Sequence, residues 1–552
     1  MQTEFDYIIV GAGSAGCVMA NRLSAETGIS VLMLEYGGSD ASPFVQMPSA
    51  LAIPMNSKQF DWGYHSEPEV NLNNRRMHVP RGKVIGGSSS VNGMVYVRGH
   101  AADFDTWDSL GAKGWAYADV LPYFKRSETY SGGADAYRGD EGPLHTRKGD
   151  MRNPLYRAFI AAGVEAGYGE SADLNGFRQE GFGAFDMTVH RGVRWSAANA
   201  YLRPALRRKN LRLRSRCLVE KVLFEGKKAV GVAYACKGSK FQAKARRAVI
   251  LCGGAINSPQ LLQLSGIGDA DHLKKTGIAP LLHRAGVGAN LMDHLEFYFQ
   301  IKSSQPITLY PVLSLWRKAL IGMQWMATGG GLGASNHFES GGFIRSRAGI
   351  SYPDIQFHFL PLAVSYNGSK MASEHGFQAH VGPMRSKSRG SVQIKSALAS
   401  DKPEIRFNYL SHKDDWAEMR ACVRLTRELF ETQAFKPFYA AETQPGKSVT
   451  SDADIDAFIR QHVESAYHPS GTCKMGDAND PMAVVDPQTR VIGVDNLHVV
   501  DSSILPLITN GNLNAPTIML AEKAADHILG KTPLPRSNAP VWQNPDWESR
   551  QR

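Results

Sequence analysis

No two of the six cysteines, Cys17, Cys217, Cys236, Cys252, Cys422 and Cys473, form a C-x-x-C pair. Their scatter excludes a cysteine zinc site and a dithiol motif, and it predicts a reducing compartment with no disulfide framework. No apolar run reaches the ~18–20 residues needed to cross a bilayer. The N-terminus runs directly into a strand with no secretory signal before it. Nor is there a concentrated Lys/Arg tract. The net charge of +10 is therefore read as solubility plus weak attraction to anionic surfaces, with no nucleic-acid partner. Internal repeats are absent too. With 43% hydrophobic and 21% charged residues the chain is not disordered, and 552 residues are too many for one simple core. The expected location is the cytoplasm, with peripheral association at the inner face of the cell membrane as the alternative.

The nearest approach to a long apolar segment is "YPVLSLWRKALIGMQWMATGGG", Tyr310 to Gly331. Val312, Trp316, Ala319, Leu320 and Met323 recur at helical spacing, interrupted by Arg317 and Lys318. A core-facing helix is expected here; a helix that also touches a membrane surface is the alternative.

The 54 glycines cluster in short motifs and do not spread as a linker. "FDYIIVGAGSAGCVMANRL" reads as an apolar strand from Tyr7 to Val10, a tight turn and a helix, with Gly11, Gly13 and Gly16 fitting G-x-G-x-x-G. The first glycine permits the turn, and the second lets backbone approach a pyrophosphate. The third lets helix pack on strand, so that the helix N-terminus faces the anion. A second strand, "SVLMLE", ends in Glu35, near the distance expected for gripping a ribose hydroxyl pair. Strand, turn, helix, strand and acid in that order predict a dinucleotide-binding unit.

Two further small-residue segments, "RGKVIGGSSSVNGMVYVRG" (Arg81 to Gly99) and "GGAINSPQLLQLSGIG" (Gly253 to Gly268), are nearly free of acids, as suits backbone lying against a large planar cofactor. Near the C-terminus come "SAYHPSGTCKMG", which carries His468, and "NGNLNAPTIM", which carries Asn510, Asn512 and Asn514. Together these segments closely resemble the signatures of the glucose–methanol–choline (GMC) oxidoreductases. The likeness runs from Phe5 to about Pro535. It is nearest to the family's bacterial choline-oxidising members, through "NNRRM", "NHFESGGFIRSR", "YNGS", "EHGFQ" and "YHPSGTCKMG".

The resemblance implies an α/β (α+β overall) fold, with a Rossmann-like FAD-binding domain and an inserted substrate domain of antiparallel sheet plus helices. The FAD domain is expected at 1–155, 200–300 and 465–535, the substrate domain at 156–199 and 301–464, and a flexible tail at 536–552. It further implies non-covalent FAD held by Gly11, Gly13, Ser14, Ala15, Gly16, Glu35, Gly86, Gly87, Ser88, Asn92, Gly93, Met94, Val95, Val219, Asp501, Asn514, Ala515 and Thr517. Val91 stands where some relatives carry the histidine that attaches FAD covalently.

Oxidising an alcohol on a flavin means losing the hydroxyl proton and passing a hydride to flavin N5. Neutral imidazole suits the first step, which makes His468 the candidate base. Asn514 is the candidate partner for the substrate oxygen, with Asn510 and Asn512 in the same turn able to exchange roles with it. For choline's trimethylammonium group the resemblance assigns Glu296 as the facing carboxylate. It assigns Trp62, Phe338 and Tyr467 as aromatic walls and His358 as a further active-site histidine. Phe338 stands where an indole can occur, so the cage is expected to be differently shaped.

The activity implied is oxidation of choline to betaine aldehyde, with onward oxidation to glycine betaine left open. A quinone or other non-oxygen species is the expected electron acceptor, and oligomeric state is left open. The alternatives are another primary alcohol as substrate and a lyase with structural FAD.

Overall fold

The computed structural model describes residues 3–364 and 374–552, so the "YNGS" string at 366–369 lies outside the described residues. The N-terminal apolar run forms β1 (Glu4–Val10), whose central residues are buried, and the glycine turn leads into helix α1 (Ser14–Leu23). β2 (Val31–Leu34) is buried throughout. Later stretches return to the same sheet as β3 (Leu211–Arg214), β4 (Cys217–Glu225), β5 (Lys228–Cys236), β6 (Ser239–Leu251) and β7 (Leu497–Val499). Across the parallel layer the order is β3-β2-β1-β6-β7, and β4 and β5 extend β6 as an antiparallel meander. Near-continuous apolar strands covered on both faces are what a parallel sheet requires. Helix α2 (Gly254–Leu264) follows β6 directly.

The β4–β5 hairpin overturns one expectation. Cys217 and Cys236 are opposite each other in its register and are bonded as a disulfide, with Cα atoms 4.3 Å apart. Nineteen residues of sequence separation hid a cross-strand pair. The other four cysteines are free and buried.

A second sheet is antiparallel, in the order Tyr439–Gln444, Leu295–Ser303, Gly376–Pro383, Ile355–Leu360, Ser340–Ile344, Gly181–Ala184. Its two-residue period sorts the side chains. Phe297, Phe299, Phe357, Phe359 and Phe377 enter an aromatic core with Phe159 and Phe430. Glu296, His358 and His380 fall on the opposite face, toward the β1–α1 turn of the first sheet.

Helix α3 (Leu315–Thr328) contains no buried residue, contrary to the core-facing expectation. Its helical period was correct, but among the described residues the helix is anchored along one edge, where Trp325 Nε1 donates to the Gly192 carbonyl at 2.7 Å. Helix α4 (Lys413–Phe430) covers the second sheet, and α5 (Asn514–Leu529) packs against α1. The tail is also not the free segment expected. Tyr137 Oη donates to the Pro540 carbonyl, Trp542 N to the Phe177 carbonyl and Arg345 Nη1 to the Arg550 carbonyl, so the tail is strapped to the surface.

Candidate active site

One cleft runs between the two sheets, lined by the β1–α1 turn at one end and by Glu296, Phe338, His358, His380 and His468 at the other. At the first end Gly11 has φ +101°, and a Cβ there would stand 2.5 Å from the Cys252 carbonyl oxygen. A Cβ on Gly87 would stand 2.6 Å from Gly13 Cα, so the second glycine segment lies directly against the first. The N-terminus of α1 has no side-chain cap and no acid in its first turn, which leaves its amides to an outside anion. Glu35 accepts from Ala12 N at 2.7 Å and Gly37 N at 2.6 Å, and burial pushes its carboxyl up. A carboxylate has about four lone-pair sites, so acceptor capacity remains for ribose hydroxyls.

These residues fit FAD. The α1 turn would hold the pyrophosphate and Glu35 the ribose, while Asn92 to Val95 and Asn512 to Thr517 would flank the ring. Gly13, Ser14, Ala15, Gly87, Ser88, Asn92, Gly93, Met94, Val95, Val219, Asp501, Asn514 and Thr517 all line the cleft wall. Gly16, Gly86 and Ala515 stand behind it, where Gly86 turns the chain at φ +89° and Ala515 is buried.

His468 is fixed by its backbone and by its ring. Its amide donates to Asp293 Oδ1 at 2.7 Å; Asp293 Oδ2 takes Tyr409 Oη at 2.6 Å and Ser465 Oγ at 2.5 Å. The preceding Tyr467 has φ +65°, a left-handed conformation that costs a bulky residue ~1–2 kcal/mol. Ser465 Oγ on the Tyr467 amide at 2.8 Å, and Arg81 on its carbonyl, hold it there.

Hydrogen bonding then assigns the protons of the rings. His294 Nε2 lies 3.0 Å from the Met384 carbonyl and must donate, so in the neutral ring Nδ1 accepts. His468 Nδ1 lies 3.1 Å from that nitrogen and therefore carries the hydrogen. Its Nε2 is left without a hydrogen and faces the cleft, where its lone pair accepts from Asn512 Nδ2 at 3.2 Å. Burial is the main cause that holds His468 well below the ordinary histidine range; His294, His358 and Arg81 add to it. Burial likewise lowers His294 and His358 to about 4.

The asparagine that meets His468 is thus Asn512, where the sequence pointed to Asn514. Helix α5 begins at Asn514, which turns that side chain toward α1, where Ser14 Oγ donates to its Oδ1 at 2.7 Å. Asn512 precedes the helix and reaches into the cleft, its Oδ1 also 3.3 Å from His358 Nε2.

Trp62, Phe338, Tyr467, His358 and Glu296 all line the same cleft as His468. Trp62 is stacked between Tyr36 and Tyr64, with centroids 4.9 and 5.6 Å away. Phe338 meets His358 and His380 edge-on at 5.9 and 5.4 Å. His380, which sequence reasoning missed, directly faces His358 across the strand register, and its Nδ1 lies 3.0 Å from Glu296 Oε1. Gln378 Nε2 donates to His380 Nε2 at 2.7 Å, so His380 Nδ1 donates to Glu296. The missed signal was alternation: Glu296, His358 and His380 occupy cleft-facing positions of three neighbouring strands.

Residues 5–296 match the GMC oxidoreductase N-terminal family model and residues 386–521 the C-terminal one. The chain is 58% identical over 549 residues to a protein of Brucella ovis named oxygen-dependent choline dehydrogenase, with 100% of both chains covered. It is 57% identical over 544 residues to a protein of the same name from Sinorhizobium fredii, with 99% of each covered. Among solved structures it resembles pyridoxine 4-oxidase from Mesorbium loti, with a TM-score of 0.87, 30% identity, and 96% of this chain and 100% of that one covered.

Proposed function

This chain belongs to the GMC oxidoreductases, and from that premise we propose that it is an FAD-dependent choline dehydrogenase that converts choline to betaine aldehyde. One observation carries the reading. The unprotonated Nε2 of His468, 3.2 Å from Asn512 Nδ2, shares a cleft with a dinucleotide cradle and with a carboxylate set among aromatic rings. Full-length likeness to proteins named choline dehydrogenase supports the substrate.

Bound FAD supplies the acceptor for the hydride. The protein's part is to place and deprotonate the alcohol. His468 Nε2 takes the hydroxyl proton, becoming a cation stabilised through Nδ1–H on His294, while Asn512 Nδ2 donates to the developing alkoxide. Glu296 faces the ammonium end, Phe338 and Tyr467 give it aromatic faces, and Trp62, already stacked on Tyr36 and Tyr64, adds a ring edge to the wall. His380 keeps the carboxylate aimed by donating to one oxygen and leaves the other to the substrate.

The electron acceptor is part of the same proposal. A quinone or another non-oxygen species is our reading, and dioxygen, which the relatives' name carries, is its competitor. Anaerobic titration with choline should bleach the flavin absorbance, and reoxidation by quinone or by air then ranks the acceptors. Bleaching by neutral alcohols but not by choline would make this a GMC dehydrogenase for another alcohol. No bleaching by any alcohol, with cyanohydrin cleavage intact, would make it a lyase with structural FAD.

A further inference from the structure

We propose that α3 docks the protein on an anionic lipid bilayer, lying in the headgroup plane. Five large apolar side chains on this helix face solvent: Leu315 is 84% exposed, Trp316 60%, Leu320 50%, Met323 54% and Met326 67%. At about 100° per residue they fall, together with the two alanines of the helix, within one arc of about 140°. Monomeric proteins seldom leave such a contiguous patch bare.

The charges around the arc identify the occupant. Arg317 falls beyond one edge and Lys318 beyond the other, and the helix sequence LWRKALIGMQWMAT holds no acid. An apolar stripe flanked by cations on long stems is the pattern of a helix at a lipid interface, where the stems reach headgroup phosphates. A two-fold contact with a second copy would bring the cationic edges of the two helices together, with no carboxylate on the helix to neutralise them. The helix is too short and too polar to cross the membrane, and among the described residues no helix is long and apolar enough to do so.

The position of the helix adds a reason for the contact. The turn just before it, Tyr310–Leu313, packs against the cluster containing Leu51, Met94 and Phe338, and those three residues line the cleft. Lipid docking through α3 therefore brings the apolar wall of the cleft close to the bilayer.

The test is co-sedimentation of the holoenzyme with phosphatidylcholine vesicles, with and without phosphatidylglycerol, at low and high salt. The parent should bind the phosphatidylglycerol vesicles and release at high salt. Leu320→Glu/Met323→Glu should bind at least about tenfold more weakly. It should still oxidise choline with a water-soluble dye at the parental rate, which shows that the variant has folded. The proposal is overturned if the parent ignores anionic vesicles or if the double variant binds as well as the parent. It is equally overturned if the parent forms a dimer that the double variant dissolves while neither binds vesicles, since the helix would then join two copies.

Discussion

Glu296→Gln removes one charge and little else, because Gln Oε1 can accept from His380 Nδ1 as the carboxylate does across 3.0 Å. Choline's nitrogen bears three methyl groups and has no hydrogen to donate, so in the proposed site Glu296 would act on it through charge. A carboxylate about 5 Å from a cation, at an effective dielectric near 20, interacts by ~3 kcal/mol. Part of that is offset because a charge left alone in the cleft is resolvated. The expected loss is therefore about 1.4–2.8 kcal/mol, or roughly 10- to 100-fold in kcat/KM for choline. The uncharged isostere 3,3-dimethylbutan-1-ol has the same shape with carbon in place of nitrogen, and it should be oxidised equally well by parent and variant. The assay is steady-state turnover of both alcohols by both proteins, read as the ratio of their kcat/KM values. An unchanged ratio would refute the assignment of Glu296 to the cation, and a parent that prefers the neutral alcohol would refute choline itself.

Asn512→Ala should slow flavin reduction ~10²–10³-fold, the usual cost of losing one donor to a developing oxyanion. Asn514→Ala should spare that rate and weaken retention of FAD, since its side chain faces Ser14; stopped-flow reduction and flavin occupancy separate the two. His294→Phe removes the acceptor that keeps the hydrogen on His468 Nδ1, so kcat should fall with KM little changed. The acid limb of the kcat profile should move as well, and an unmoved profile would reduce His294 to packing. Acid precipitation should release all flavin colour to the supernatant, because Val91 offers no nucleophile at the cleft wall; a yellow pellet would contradict this. Finally, burial lowers His337 and His498 to about 4 and His100 to about 3. Between pH ~6.5 and those values the unfolded chain binds protons that the folded one refuses. Thermal stability should be level above pH ~6.5 and fall as pH drops toward 4, and a melting temperature that stays constant across this window would show these rings to be wet.

What the sequence disclosed was whatever the chain settles within a few residues. The β1–α1 turn was readable because Gly11, Gly13 and Gly16 must all act in one bend. His468 was readable from the unusual string around it. Asn512 was not, because choosing among three asparagines two residues apart depends on where α5 starts, and ±2 residues is the ordinary uncertainty of a helix end. His294 and His380 required strand register: His380 meets Glu296 across a separation of 84 residues and His294 meets His468 across 174. Neither approach leaves a local mark. The Cys217–Cys236 pair is hidden in the same way, because it depends on the register of a hairpin and not on the spacing of the cysteines. The α3 segment shows a different limit. Its periodicity correctly announced an apolar stripe, yet a period reports only that a face is apolar and not what covers it. A core, a second copy and a lipid surface all select the same spacing. Here the proposal of a lipid surface rests on the flanking cations and the bare side chains, not on the spacing.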